Sequence, residues 1–266
     1  MLSWLRRRRR SARASELMPS QAELRALVAG WPCLARLDGD ALQRLGRLTG
    51  EVLAGKDFHG AGGLAPDRAD CLPVALHAAL AVLELGYEAL DGFQSFILYH
   101  DEFEVDLEEI DDDGLVHRGR DLRAGEAWHG GPVVLSLADV LQSGQGDGYH
   151  VVVHEIAHQL DSCNGEPDGF PPLPATIRRQ DWTNSFSAAF RRLERTLATG
   201  TEPWIDEYAA ESPAEFFAVA TEYFFDRPDS LLRHEPDVYR LLALFYNQNP
   251  ASRTNSACEQ DRTRLH

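Results

Sequence analysis

The sequence predicts an α+β fold, and three observations carry that prediction. Apolar residues recur at helical spacing up to Leu85, short β-branched and aromatic runs follow between Phe93 and Leu137, and helical spacing returns from Tyr149 to Gln248. With 266 residues the chain is long enough to bury a sizeable core, as one large domain or two joined lobes. The expected division is a basic, disordered tail over 1–18, a single domain over 19–250 with lobes of about 19–163 and 164–250, and a polar, disordered tail over 251–266.

Residues 20–55 read as helical, with Asp40 placed to cap a segment whose Leu42, Leu45, Leu48 and Leu53 fall near one face. Pro66–Leu85 reads as a further helix, ended by Gly86 and Asp91-Gly92. Phe93–Tyr99, Leu115–Arg118 and Pro132–Leu137 read as strands. Between the first two, Asp101–Asp113 carries nine carboxylates. It lacks the alternation of ligands around a central glycine that a calcium loop needs, so it reads as the solvated flank of a hairpin. Gly144–Gly148 reads as a flexible loop feeding the apolar helix Tyr149–Cys163, which Asn164-Gly165 stops. Three more helices complete the reading: Asn184–Leu197, with Phe186, Phe190, Leu193 and Leu197 in line, then Pro213–Phe225 and Pro236–Gln248.

Composition excludes several functions. The formal net charge is −16, which repels phosphate backbones and gives no support for direct nucleic-acid binding or for docking on anionic membranes. Cys33, Cys71, Cys163 and Cys258 are scattered with no CxxC pair, which fits reduced thiols and a cytoplasmic protein. After Arg6–Arg10 comes polar Ser11–Glu16 where a secretory signal would be apolar, and no run of 18 apolar residues occurs to span a membrane.

The chemistry concentrates in His154-Glu155-Ile156-Ala157-His158, an HExxH motif inside the apolar helix. Positions i and i+4 lie one turn apart on one face, so both imidazoles reach a single tetrahedral Zn²⁺, one per chain, at about 2.0–2.1 Å. Glu155, beside the first histidine, is placed to act as general base on the attacking water. Burying two histidines and a glutamate among Val, Ile, Ala and Leu is costly unless something satisfies them. A third ligand is required, and the residues leave three choices. Asp161 follows His158 by three positions, Glu215 opens a helix behind Ser212-Pro213, and Glu222 lies seven further on. Asp161 reads equally as a group orienting a ligand histidine, and Glu215 as half of a capping box; Glu215 stands only modestly ahead of Glu222.

At this point the chain resembles the Mlc titration factor A family of bacterial zinc metallopeptidases, which is tied to the regulation of glucose uptake. The matching segments are Leu83-Glu-Leu-Gly86 with Leu90-Asp-Gly-Phe93, Gly125-Glu-Ala-Trp128 with Gly131-Pro-Val-Val-Leu-Ser136, His154–Asp161, and Tyr208-Ala-Ala-Glu-Ser-Pro-Ala-Glu215 with Glu222-Tyr-Phe-Phe225. They cover roughly residues 20–250. The resemblance implies a zincin-like fold, similar to the catalytic domain of anthrax lethal factor. It implies His154, His158 and Glu215 as zinc ligands, Glu155 as catalytic base, and Tyr208 facing the metal to stabilise the oxyanion. Asp161 and Glu222 are left as supporting groups behind the ligands. The strand Pro132-Val133-Val134-Leu135-Ser136 is expected at the sheet edge, pairing with the substrate backbone, while Trp128 and Gly130-Gly131 shape the cleft.

Two functions follow. The first is a cytoplasmic zinc peptidase acting on peptides or peptide ends, an aminopeptidase among the options, linked to the regulation of sugar uptake. The second is a regulatory protein that sequesters a transcriptional repressor of the Mlc type. A set that includes Glu155 and leaves a coordination position open favours the enzyme, because a structural zinc needs neither.

Overall fold

The computed structural model describes the backbone of residues 2–101, 103–110, 116–123, 125–127 and 131–252, and the side chains of 10–101 and 131–252. The chain opens with α1 (Leu2–Leu17), α2 (Gln21–Gly30) and α3 (Gly39–Gly55). Where a disordered tail is expected over 1–18, α1 is a helix that packs on α3. The fit is steric, since a Cβ on Gly50 would lie 2.5 Å from the Ala14 carbonyl oxygen, so only glycine admits the α1 backbone this closely. Arg10 anchors the same helix: its guanidinium stacks 3.7 Å from the Tyr87 ring centroid and bonds Glu88 at 3.1 Å.

α3 buries Ala41, Leu45, Leu48 and Val52, with Leu42 and Leu53 packed half-buried beside them. Its cap is Asp38, which accepts from the Ala41 N–H at 2.7 Å; Asp40, the expected cap, already lies in the first turn. A cap must stand outside the helix in extended backbone, and Asp38 does. Next come β1 (Asp57–Gly60) and α4 (Arg68–Ala81), capped by Asp67 and buried throughout Leu72–Ala81.

The strands β2 (Ser95–Tyr99), β3 (Phe103–Ile110), β4 (Val116–Arg123), β5 (Gly125–Ala127) and β6 (Val133–Ser136) follow. β3 and β4 form an antiparallel pair of their own, so residues 103–110 of the acidic stretch are one arm of a hairpin; residues 102 and 111–113 lie outside the described residues. The main sheet has the order β1-β2-β6-β5, with the first two pairings parallel and the last antiparallel. This corrects one expectation. Pro132–Ser136 is not the sheet edge: β6 pairs with β2 on one side and β5 on the other. Val133, Val134, Leu135 and Ser136 are all buried, and a strand apolar on both faces belongs inside a sheet. The edge beside the motif helix is β5.

The second half of the chain is helical: α5 (Leu137–Gln142), α6 (Val151–Asp161), α7 (Arg179–Ala198), α8 (Pro213–Asp226), α9 (Pro228–His234) and α10 (Pro236–Tyr246). α7 buries Trp182, Phe186, Ala189 and Leu193. Trp182 stacks on Phe186 with centroids 4.2 Å apart and meets Phe217 of α8 and Phe245 of α10. α6 and α8 lie against each other in opposite directions, with His150 beside Glu222 and His158 beside Glu215. The whole is an α+β, zincin-like architecture. Among the described residues no helix is long and apolar enough to cross a membrane.

Candidate metal centre

α6 sets the two motif histidines one turn apart, and their Nε2 atoms stand 3.1 Å from each other. α8 brings in Glu215, whose Oε2 is 3.1 Å from His154 Nε2 and 3.3 Å from His158 Nε2. Tetrahedral bonds of about 2.0–2.1 Å would separate such ligand atoms by about 3.3–3.4 Å, so two imidazoles and one carboxylate already stand at the spacing a zinc ion requires. Local sequence explains the aim of Glu215. Ser212 caps α8 by accepting from the Glu215 N–H at 3.1 Å, and Pro213 occupies the first turn. Of the expected capping box only this half forms, because the Glu215 carboxylate turns to the histidines.

The charges reinforce one another. Burial works against a charged His154, but its hydrogen bonds to Glu215 and Glu222 hold the proton and carry its pKa well above the ordinary histidine value. Burial likewise opposes ionisation of Glu215, yet bonds from His154 and His158 keep its carboxyl well below the usual carboxylate range. The pocket thus holds a proton where a cation would compete for the same lone pairs.

Glu222 stands two turns after Glu215 on the same face of α8 and is buried. Its Oε1 lies 2.8 Å from His154 Nδ1, and its Oε2 accepts from the His150 N–H. The Nδ1 contact fixes the ring so that Nε2 faces the pocket. Asp161, at the end of α6, is fully buried. Its carboxylate accepts from the Gly169 N–H at 2.7 Å, a partner on the loop after α6. Burial pushes its carboxyl up to about 6. Gly169 has φ +78°, and a Cβ there would lie 2.4 Å from the Pro213 carbonyl oxygen. Asp161 therefore pins this loop onto the start of α8, next to Glu215.

A second clamp closes the opposite end. Asp226, at the end of α8, accepts from the Gly146 N–H at 2.9 Å and the Gly148 N–H at 2.7 Å. The loop Gly144–Gly148, read as flexible, is held by these bonds immediately before α6. Sequence reasoning passed over Gly169 and Asp226, and took Gly146 and Gly148 only as parts of a flexible loop. The available signal was the set of glycines flanking the motif helix on both sides.

Glu155 is buried on α6 beside His154. Tyr208 sits on a short 3-10 turn, Glu207–Ala210, where Asp206 accepts its N–H at 2.9 Å. Tyr208 is 48% exposed and its ring centroid lies 6.1 Å from that of His154, so it borders the His154–His158–Glu215 pocket from the solvent side. Trp128 and Gly130 lie outside the described residues, and Pro132–Ser136 runs within the sheet.

Comparison with known proteins agrees with this geometry. The chain matches the family described as glucose-regulated metallo-peptidase M90 over residues 2–247. A protein of Serratia proteamaculans (strain 568) named Mlc titration factor A is 40% identical over 225 residues, which is 84% of this chain and 86% of the relative. Proteins of the same name from Cronobacter sakazakii (strain ATCC BAA-894) and Klebsiella pneumoniae (strain 342) are 37% and 36% identical, covering 84% and 88% of this chain and 84% and 90% of theirs. A family of metallopeptidases implies a metal ion, and the His154–His158–Glu215 cluster is suited to hold one. With so nearly complete a match, the chain belongs to the glucose-regulated metallo-peptidase M90 family.

Proposed function

We propose that this chain is a zinc-dependent peptidase that works in the cytoplasm, with His154, His158 and Glu215 as the metal ligands. The observation that carries the reading is the convergence of three ligand atoms at 3.1–3.3 Å, with Glu222 behind His154. Bound Zn²⁺ supplies Lewis acidity, polarising a scissile carbonyl and acidifying water. Glu155 takes the proton of the attacking water and delivers it to the leaving amine. Tyr208 donates its hydroxyl to the developing oxyanion. Glu222 keeps His154 in the tautomer that offers Nε2. Substrate backbone pairs with the outer edge of β5, since β6 has both edges occupied. Cleavage at peptide ends, as by an aminopeptidase, is the mode we assign first for testing.

The experiment compares wild type with Glu155→Gln on a peptide library, with zinc measured by mass spectrometry. Glu155→Gln should hold about one zinc per chain and lose roughly a hundredfold to ten-thousandfold in rate, the usual cost of a lost general base. An active, zinc-loaded Glu155→Gln protein refutes the mechanism.

The name shared by the relatives supports a second reading, in which the chain sequesters a transcriptional repressor of the Mlc type and thereby affects sugar uptake. Both roles fit in one protein. Binding of such a repressor that survives in Glu155→Gln would separate sequestration from hydrolysis.

A further inference from the structure

A second cluster of metal-ligating side chains lies beneath the N-terminus of α6, built from groups the peptidase reading does not use. Cys33, His77 and His150 come from three separate segments, and their ligand atoms all lie within 4.8 Å of one another. Cys33 is 4% exposed, and His77 and His150 are fully buried. His77 sits in α4, where every neighbour from Leu72 to Ala81 is buried. Among the described residues neither of its ring nitrogens has a hydrogen-bond partner, and neither does His150 Nε2. The two rings meet edge to face with centroids 4.5 Å apart, and Trp31 closes over His77 in the same manner at 4.9 Å.

Such an arrangement is expensive as plain core. A buried polar group without a partner keeps the full penalty of leaving water, and a leucine at position 77 would avoid it. The backbone has also been shaped around the cluster. Gly144 has φ +71°, and a Cβ there would lie 2.7 Å from Cys33 Sγ and 3.5 Å from His150 Nε2. Only glycine leaves the sulfur and the imidazole room to face each other.

We propose that Cys33, His77 and His150 form a second, buried metal site that takes a thiolate-preferring ion, Zn²⁺ or Cu⁺, separate from the His154–His158–Glu215 pocket. Two imidazole nitrogens and one sulfur suit a borderline or soft cation, and no oxygen ligand joins them among the described residues, which argues against Mg²⁺ or Ca²⁺. Binding balances as an exchange of one proton for one ion. Burial pushes the Cys33 thiol up to about 12, so it starts as S–H; a metal–sulfur bond forms, the S–H bond breaks and the proton goes to solvent. Burial keeps both histidines neutral, so neither gives up a charge-bearing proton. Ligation through His150 Nε2 leaves the proton of that ring on Nδ1. It gives up only a 3.5 Å contact with the Val153 N–H, at the outer limit of hydrogen bonding.

The site has a structural consequence. His150 immediately precedes α6, and its N–H bonds Glu222, which also bonds His154 Nδ1. An ion on His150 would therefore brace the start of the helix that carries the HExxH histidines.

The test uses the full-length protein stripped with chelator and titrated with Co²⁺, first as wild type and then as the His154→Ala/His158→Ala double variant. A thiolate-to-cobalt charge-transfer band in the near ultraviolet is expected in both, at about one ion per chain in the double variant; the His154–His158–Glu215 pocket has no sulfur and cannot produce it. Cys33→Ala should abolish the band. His77→Leu, a substitution that suits an apolar helix, should weaken Co²⁺ binding at least tenfold while the metal-free protein melts no lower than wild type. Titration with Zn²⁺ and Cu⁺ against chromophoric chelators should show binding that Mg²⁺ does not reproduce. No charge-transfer band in wild type, a band that survives Cys33→Ala, or unchanged affinity in His77→Leu would overturn the proposal.

Discussion

Glu222→Gln tests the support behind the metal pocket. Glu222 receives two buried N–H groups, one on each oxygen: His154 Nδ1 at 2.8 Å and the His150 backbone N–H. Glutamine has nearly the same shape but a single oxygen, so one of those N–H groups must face an NH₂. A buried donor left in that position costs about 1–3 kcal/mol, and the unfolding free energy should fall by that amount. The effect on metal should be separate and larger in kind. Without a firm acceptor on Nδ1 the imidazole loses both its orientation and part of its basicity, and zinc affinity should drop roughly ten- to a hundredfold. Glu215→Ala removes a ligand outright and should cost more than Glu222→Gln. Asp161→Asn should cost least, because Asp161 bonds Gly169. The assay is zinc competition against a chromophoric chelator, with urea unfolding of the metal-free proteins as the control. Wild-type zinc affinity in Glu222→Gln, or a greater loss in Asp161→Asn than in Glu215→Ala, would refute the assignment of roles.

Three further outcomes are expected. Tyr208→Phe should keep zinc and stability but lower kcat by roughly ten- to a thousandfold with a much smaller change in KM, the signature of a lost oxyanion donor; unchanged kcat would leave Tyr208 as a surface ring. Gly169→Ala forces an alanine to φ +78° with its Cβ 2.4 Å from the Pro213 carbonyl oxygen, so unfolding should become easier by at least about 1–2 kcal/mol and zinc binding should weaken as α8 shifts, whereas Gly39→Ala, with open space around it, should do neither. Acid should destabilise the metal-free protein through His77, whose folded pKa of about 3 lies below its ordinary 6.5: the unfolded chain takes up the proton first, so stability present above pH 6.5 is lost as pH falls, by about 2–3 kcal/mol between pH 6.5 and 4.5. Urea midpoints across that range should show His77→Leu losing less than wild type, and parallel pH profiles would count against this account.

Much of the fold was legible because its signals are local. The 3.6-residue spacing of α7, the cap and proline that open α8, and the i, i+4 histidines of α6 are properties of a few consecutive residues. The α1 helix was not legible, since its docking depends on Gly50 and Ala14 coming close and on Arg10 stacking over Tyr87. Hydrophobicity along the chain carries no trace of either. The interior position of β6 was hidden for a similar reason. An apolar run reports that a strand is covered, but which strand lies on each side depends on residues 95–99 and 125–127 arriving there.

The same division holds at the site. By itself the sequence determined that two histidines share a helix face with a glutamate next to the first, because that follows from helix geometry alone. It could not choose a third ligand between Asp161, Glu215 and Glu222 from the residues, because all three stand near the correct face of their own helices. The antiparallel packing of α6 on α8 separates the three: Glu215 meets both Nε2 atoms, Glu222 stands two turns away behind His154, and buried Asp161 bonds Gly169. The Cys33–His77–His150 cluster exists only in the tertiary structure. Its members are separated by 44 and 73 positions in the chain, and no periodicity links residues that meet only after the helices have packed.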